Sequence, residues 1–103
     1  MPKGYWIGRV DVSDPEAYER YREANGPVFA KYGARFLVRA GRFEAVEGEA
    51  RSRNVVIEFP DYETALACYR SPEYARAMAH RTGASVADIL VIEGYDGPQP
   101  GEG

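Results

Sequence analysis

The chain has 103 residues, 45% of them hydrophobic, and a formal net charge of -3 at pH 7, which is typical of one globular domain. Its 13 basic residues are outnumbered by 16 acidic ones, which argues against nucleic-acid binding because that function needs a basic face. The N-terminal residues lack the apolar run of a signal peptide, and no stretch approaches the ~20 apolar residues that cross a bilayer. We therefore expect a cytoplasmic protein with no nucleic-acid or membrane partner.

The first predicted elements are a strand at residues 5–12 and a helix that begins at Pro15. Two helix-start signals overlap here: Ser13 with Glu16 is typical of a capping box, and Asp14 followed by Pro15 is typical of an N-cap with proline in the first helical position. One stripe then recurs with the 3.6-residue spacing of a buried helix face: Tyr18, Tyr21, Asn25, Val28, Phe29 and Tyr32. Pro27 should kink or split this helix, and Gly33 should end it.

The second half of the chain repeats the pattern of strand and helix. Strands are predicted at residues 35–40 and 54–59, on either side of a long polar connection. Asp61 is the expected N-cap of a second helix, which restarts at Ser71 because Ser-Pro-Glu is a new N-cap with proline after it. A last strand is predicted at residues 88–94.

The resulting order βαββαβ predicts a ferredoxin-like α+β fold. Its four-stranded antiparallel sheet would have the strand order 4-1-3-2, with both helices on one face. We expect a single domain at residues 1–95. Residues 96–103 are rich in glycine and proline and are expected to be a flexible C-terminal tail.

Alternation along the strands predicts which side chains lie under the helices. That set is Trp6, Val10, Phe36, Val38, Val55, Ile57, Phe59, Leu90 and Ile92. The helix-free face would carry Ile7, Leu37, Val56, Ile89 and Val91, together with Arg9, Asp11, Arg39, Glu58 and Glu93. An apolar centre with charged ends is typical of a buried interface with a polar rim, so we expect a homodimer.

Several segments also resemble one known family. They are Tyr5-Trp6, Val12-Ser13-Asp14-Pro15 leading to Tyr18 and Tyr21, Leu37-Val38-Arg39-Ala40-Gly41, Glu47-Gly48, Val56-Ile57-Glu58-Phe59-Pro60, Tyr69-Arg70-Ser71-Pro72-Glu73-Tyr74, Arg81 and Ile92-Glu93-Gly94. Together they resemble domain of unknown function family 1330, a bacterial family in the dimeric α/β-barrel superfamily. The resemblance implies that two sheets pack face to face as a barrel, but it implies no reaction.

Related barrel families include cofactor-free monooxygenases, haem-degrading enzymes and isomerases, which is an analogy of fold alone. The chain departs from the family pattern after Arg39, where Ala40-Gly41 stands in place of the usual pair of glycines.

Few residues could hold a metal or a nucleotide. His80 and Cys68 are the only histidine and cysteine, and a metal site needs several such ligands. No glycine-rich phosphate loop is present, so we expect neither a metal nor a nucleotide cofactor. His80 near a helix end favours a surface position, and Cys68 beside apolar neighbours favours a buried one.

Four charged residues form the best-defined candidate for a functional cluster. Arg9 and Arg39 would lie at one end of the helix-free face, and Glu58 and Glu93 at the other. One interpretation is a set of ion pairs between the subunits of the dimer. The other is an anion site at the arginine end or an acid/base pair at the glutamate end, with Glu58, Glu93 and Arg39 as catalytic candidates.

The helix tyrosines have two interpretations as well. Their rings can fill the core, or their hydroxyls can line a pocket between sheet and helices. The ligand-binding candidates are therefore Arg9, Tyr18, Tyr21, Arg39, Tyr69 and Tyr74. Two functions remain open: a pocket that binds or converts a small organic molecule without a cofactor, and a non-catalytic structural or regulatory dimer.

Overall fold

A computed structural model describes residues 2–102 and contains one antiparallel sheet of four strands with helices packed on one face. The strands are β1 (Gly4–Val12), β2 (Arg35–Arg39), β3 (Arg53–Phe59) and β4 (Ser85–Glu93). The helices are α1 (Pro15–Lys31), α2 (Tyr62–Tyr69) and α3 (Pro72–Ala79). The sheet order β2-β3-β1-β4 confirms the predicted topology. Met1 and Gly103, at the ends of the predicted domain and tail, lie outside the described residues.

A side-chain cap begins each helix at a predicted residue, and for α1 it is Asp14 rather than Ser13. The carboxylate of Asp14 accepts a hydrogen bond from the amide of Ala17, and that of Asp61 accepts one from Thr64 at 2.7 Å. The hydroxyl of Ser71 accepts one from the amide of Tyr74 at 3.0 Å, which separates α3 from α2. Helix α1 continues through Pro27 to Lys31, so Pro27 does not split the helix. None of the helices within residues 2–102 is long and apolar enough to cross a membrane.

The core between sheet and helices is built around Trp6. Its ring centroid lies 5.0–5.4 Å from four other aromatic rings, those of Phe29, Phe59, Tyr69 and Tyr74. The indole N–H donates to the carbonyl of Ala65 at 2.8 Å, which satisfies its polar end. Cys68 is fully buried, as predicted. Burial raises the pKa of its thiol to about 12, so the thiol stays protonated at neutral pH.

The face assignment predicted for β4 was wrong by one residue. Trp6 pairs with Val91 and Tyr5 with Ile92, so Val91 lies under the helices. Leu90 and Ile92 are about half exposed on the helix-free face. The helix face carries Ile89 and Val91 instead. Strand β4 is apolar on both sides, so alternation does not indicate which side faces the helices. Only the pairing with β1 decides this.

A bulge in β2 reverses the prediction for two more residues. Phe36 pairs with Ile57, but Val38 pairs with Val56, which leaves one extra residue between them. A bulge of one residue exchanges the two faces beyond it. Val38 therefore lies on the helix-free face and Arg39 on the helix face, where its guanidinium carbon lies 4.3 Å from the centroid of the Phe36 ring.

Ala40 follows the bulge in a conformation that favours glycine. Its φ is 55°, and its amide donates to the carbonyl of Asn54 at 2.9 Å. We expect Ala40→Gly to raise the free energy of unfolding by up to about 1 kcal/mol, because glycine removes the Cβ clash of the left-handed region and offsets part of that gain by its own entropy. Urea denaturation at a fixed protein concentration measures this. Ala50→Gly, at ordinary φ in the following loop, should give no gain, and equal effects of the two changes would contradict the prediction.

Candidate functional site

A narrow pocket lies between the sheet and α1, and we call it the α1 pocket. Its floor is the helix face of β1 and β3, including Trp6 and Gly8, and Tyr18 and Tyr21 of α1 form its opposite wall. A Cβ at Gly8 would lie 3.0 Å from Cγ2 of Val55, so the missing side chain contributes to the space. The centre of a water molecule can occupy about 30 Å³ of the pocket, which is room for one or two waters.

Two tyrosine hydroxyls meet behind the pocket wall. The oxygens of Tyr21 and Tyr74 lie 2.6 Å apart, and Arg81 donates to the Tyr74 hydroxyl at 3.3 Å. Burial, followed by the neighbouring Tyr21, raises the pKa of Tyr74 well above its usual value. Burial also raises the pKa of Tyr18, although Arg53 opposes this. The hydroxyls of Tyr18 and Tyr74 therefore remain protonated at neutral pH and can donate hydrogen bonds.

The pocket has a strongly positive lining. Arg22, Arg39, Arg53 and Arg81 contribute to its walls, and the lining contains no aspartate or glutamate. Within residues 2–102, the Nε atoms of Arg22, Arg53 and Arg81 are buried without a hydrogen-bond partner. Asn25, only 5% exposed, also lines the pocket. A buried donor without an acceptor costs about 1–3 kcal/mol, so this arrangement favours an occupant that supplies acceptor atoms.

The structure places three of the predicted ligand-binding residues at the α1 pocket: Tyr18, Tyr21 and Arg39. Tyr74 is fully buried in the core behind it. The hydroxyl of Tyr69 lies 3.8 Å from Sδ of Met78, so this side chain also belongs to the core. Arg9 lies on the helix-free face and donates to the carbonyl of Glu49 at 3.1 Å, outside the pocket.

The two glutamates of the predicted constellation also lie outside the α1 pocket. Glu58 is on the helix-free face, 3.5 Å from the hydroxyl of Tyr5 and 3.9 Å from the guanidinium of Arg35. Glu93 ends β4 opposite Gly4 and is exposed. It has the same parity along β4 as Val91, so it lies on the helix face, and its predicted position on the helix-free face was wrong. Because the bulge turns Arg39 to the helix face, the predicted set of four does not share one face, and Arg39 cannot pair across a dimer formed by the helix-free face.

Four polar residues of the pocket were not predicted as site residues from the sequence: Arg22, Asn25, Arg53 and Arg81. Arg53 has the same parity along β3 as Val55 and Ile57, which was a usable signal. Asn25 stands in an otherwise aromatic and apolar stripe, which was another. Arg81 reaches the pocket only because α3 packs beside α1, and no local pattern predicts that contact.

The remaining chemistry-bearing side chains do not form a second site. His80 is exposed at the C-terminal end of α3, as predicted. In the described part of the chain, no three His, Cys, Asp or Glu side chains come close enough together to hold a metal ion. The absence of a metal or nucleotide cofactor stays a prediction.

Comparison with known proteins identifies the family. The family model for a domain of unknown function, DUF1330, matches residues 3–95, which is most of the chain. The chain belongs to the DUF1330 family. No curated protein matches this DUF1330 chain significantly.

Solved structures share its ferredoxin-like fold. A protein of unknown function from Rhodopseudomonas palustris, RPA0582, is 22% identical and superposes with a TM-score of 0.75, covering 93% of this chain and 85% of its own. SnoaB, a cofactor-independent oxygenase from Streptomyces nogalater, is 12% identical with a TM-score of 0.62, over 94% of this chain and 97% of its own. A dimeric ferredoxin-like protein of unknown function from Thermobifida fusca is 16% identical with a TM-score of 0.54, over 88% and 92%. At these identities the likeness shows the fold alone.

Proposed function

We propose that this DUF1330 protein binds a small organic molecule in the α1 pocket, without a metal or nucleotide cofactor. The observation that carries the proposal is the set of buried arginine Nε atoms without partners around one cavity. Buried polar groups nearly always have hydrogen-bond partners in folded proteins. A bound ligand that accepts hydrogen bonds from these Nε atoms would remove the free-energy cost of leaving them unpaired. Aromatic rings beside polar donors are the usual lining of a small-molecule site.

SnoaB, a cofactor-independent oxygenase, has the same fold, and this likeness supports the cofactor-free part of the proposal. The support is limited to the fold, because one fold hosts many reactions. The proposal covers binding rather than a named conversion. Glu58 and Glu93, the acid/base candidates, lie away from the pocket. The polar side chains of the lining are those of Tyr18, Tyr21, Asn25 and the four arginines, and the Tyr21 hydroxyl is shared with Tyr74.

A second candidate function is a structural or regulatory dimer without a ligand. The narrowness of the pocket favours it, since about 30 Å³ admits only one or two waters. Under the first proposal, a ligand must displace those waters and move a side chain at the mouth. Arg39 is exposed and stands at the end of a strand, so it is the side chain most free to move.

We also propose a homodimer formed by the helix-free face. Val38, Leu90 and Ile92 are each 45–51% exposed there, and proteins described as dimeric share the fold. An exposed apolar patch on a sheet face favours burial against a second copy. We place this dimer in the cytoplasm, with residues 1–95 as its folded domain and 96–103 as a flexible tail.

A thermal-shift screen against a metabolite library tests the pocket. A compound at 100 times its Kd should stabilise the protein by about 2.7 kcal/mol. Trp6 is the only tryptophan and lines the pocket, so its fluorescence should change with the same compound.

Gly8→Ala should lower the affinity for such a compound by about tenfold, because the new methyl group takes up space in the pocket. Gly41→Ala is the matched control, since a Cβ at Gly41 would meet no atom within 4 Å. If no compound gives a shift, or if Gly8→Ala binds as tightly as Gly41→Ala, the pocket is not the site and the structural dimer is favoured.

A further inference from the structure

Three arginines converge on the α1 pocket from three different elements. Arg53 begins β3, with its guanidinium carbon 5.4 Å from the centroid of the Tyr18 ring. Arg81 follows α3, with its guanidinium carbon 5.1 Å from the centroid of the Tyr21 ring. Arg39 ends β2, brought to this face by the bulge.

Among the described residues, no carboxylate forms an ion pair with any of these three cations. The ion pairs within residues 2–102 engage Arg22, Lys31, Arg35 and Arg51, but none of Arg39, Arg53 and Arg81. The pairing of Arg22 is with Glu19, its neighbour along α1. Arginine stays protonated in proteins, so the pocket lining holds like charges that repel one another.

Each arginine retains donors that could point at an occupant. A guanidinium carries five N–H donors. In Arg81, one terminal nitrogen donates to Tyr74, while the buried Nε has no partner. In Arg53 the Nε is likewise buried and without a partner. Planar guanidinium groups match the two oxygens of a carboxylate, and such charge-assisted hydrogen bonds are about twice as strong as neutral ones.

Most of the remaining lining is apolar and determines the rest of the occupant. Trp6, Phe29, Phe36 and aliphatic side chains of the sheet supply this apolar part, and the other polar atoms are those of Asn25 and the two wall tyrosines. A ligand with a charged head among the arginines would therefore place an uncharged, apolar body against these rings. The small volume limits that body to a few carbon atoms, and a flat ring enters only if Arg39 moves aside.

We propose that the occupant of the α1 pocket is a small organic carboxylate, bound through Arg53 and Arg81 and closed in by Arg39. This inference rests on the proposed function and adds the chemical class of the ligand. It is a binding assignment, and no bond is made or broken in it.

The test is a titration of Trp6 fluorescence with monocarboxylates from acetate to benzoate. Each acid is compared with its uncharged amide, and inorganic phosphate is titrated in parallel. At least one acid should bind, and its amide should bind at least tenfold more weakly. The affinity of the acid should also fall as salt is raised, because the contact is ionic.

Arg53→Gln and Arg81→Gln should each lower the affinity for the acid by at least tenfold. Arg51→Gln is the matched control, since Arg51 is already paired with Asp11 and Asp88 on the other side of the sheet. The melting temperature of the free protein gives a second measurement. It should stay level or rise in Arg53→Gln, because that variant removes a repelling charge, whereas a purely structural arginine would lower it.

The outcomes separate this inference from the proposed function. If amides bind as well as acids, the pocket is a ligand site but the carboxylate assignment is wrong. If phosphate binds and no organic acid does, the assignment to an organic carboxylate is also wrong. If none of these probes binds while the metabolite screen finds a ligand quenching Trp6, only the further inference fails. If that screen fails as well, both proposals are overturned. A lower melting temperature in Arg53→Gln would then show that the arginine is structural.

Discussion

Leu90→Glu is expected to convert the proposed dimer into a monomer. Leu90 is 51% exposed and lies opposite Ile7 on the helix-free face, so the change should leave the folded subunit intact. In the proposed dimer it would bury two unpaired carboxylates, one from each subunit, and the penalty is on the order of several kcal/mol per ion. Sedimentation equilibrium at micromolar protein should show the 11.5 kDa subunit mass for the variant and twice that mass for the unaltered chain.

The control for this experiment adds the same charge elsewhere. Ala67 is exposed on α2, on the other side of the sheet, and Ala67→Glu should remain dimeric. A monomeric unaltered chain would contradict the dimer itself. A Leu90→Glu variant that stays dimeric would show that the two copies meet through another surface.

Trp6→Ala is expected to remove about 3–5 kcal/mol from the free energy of unfolding. The side chain is 2% exposed and contacts aromatic residues from α1, β3, α2 and α3, so its loss leaves a cavity that these elements cannot easily close. Domains of this kind are stable by only about 5–15 kcal/mol, so the variant should be close to unfolding. Urea denaturation followed by circular dichroism, at one fixed protein concentration, measures the effect without the tryptophan signal.

Two further variants separate packing from hydrogen bonding. Trp6→Phe retains a ring but removes the donor to the buried carbonyl of Ala65, and we expect a loss of about 1–3 kcal/mol. Phe43→Ala removes a ring that is 53% exposed in the β2–β3 connection and should change stability by no more than about 0.5 kcal/mol. Equal losses in Trp6→Ala and Phe43→Ala would refute the central role of Trp6.

The candidate site was only partly predictable. Tyr18 and Tyr21 were expected from the spacing of α1, and they do line the pocket. Arg39 was chosen for the opposite face, because strand alternation cannot reveal a bulge between Phe36 and Val38. Arg53 and Arg81 are separated by 28 positions and come together only through the packing of β3, α1 and α3, so no spacing rule joins them.

The sequence by itself determined the elements and their order, because those depend on local chemistry. Asp14, Asp61 and Ser71 cap helices through atoms three residues away, and such signals are visible in a short window. The tertiary structure alone decided which way β4 and the end of β2 face. Both strands are apolar or mixed on their two sides, so the free energy of packing against β1 and β3 sets the register. That register brings Arg39 to the pocket that Arg53 and Arg81 also line, and so adds to the positive charge of the pocket.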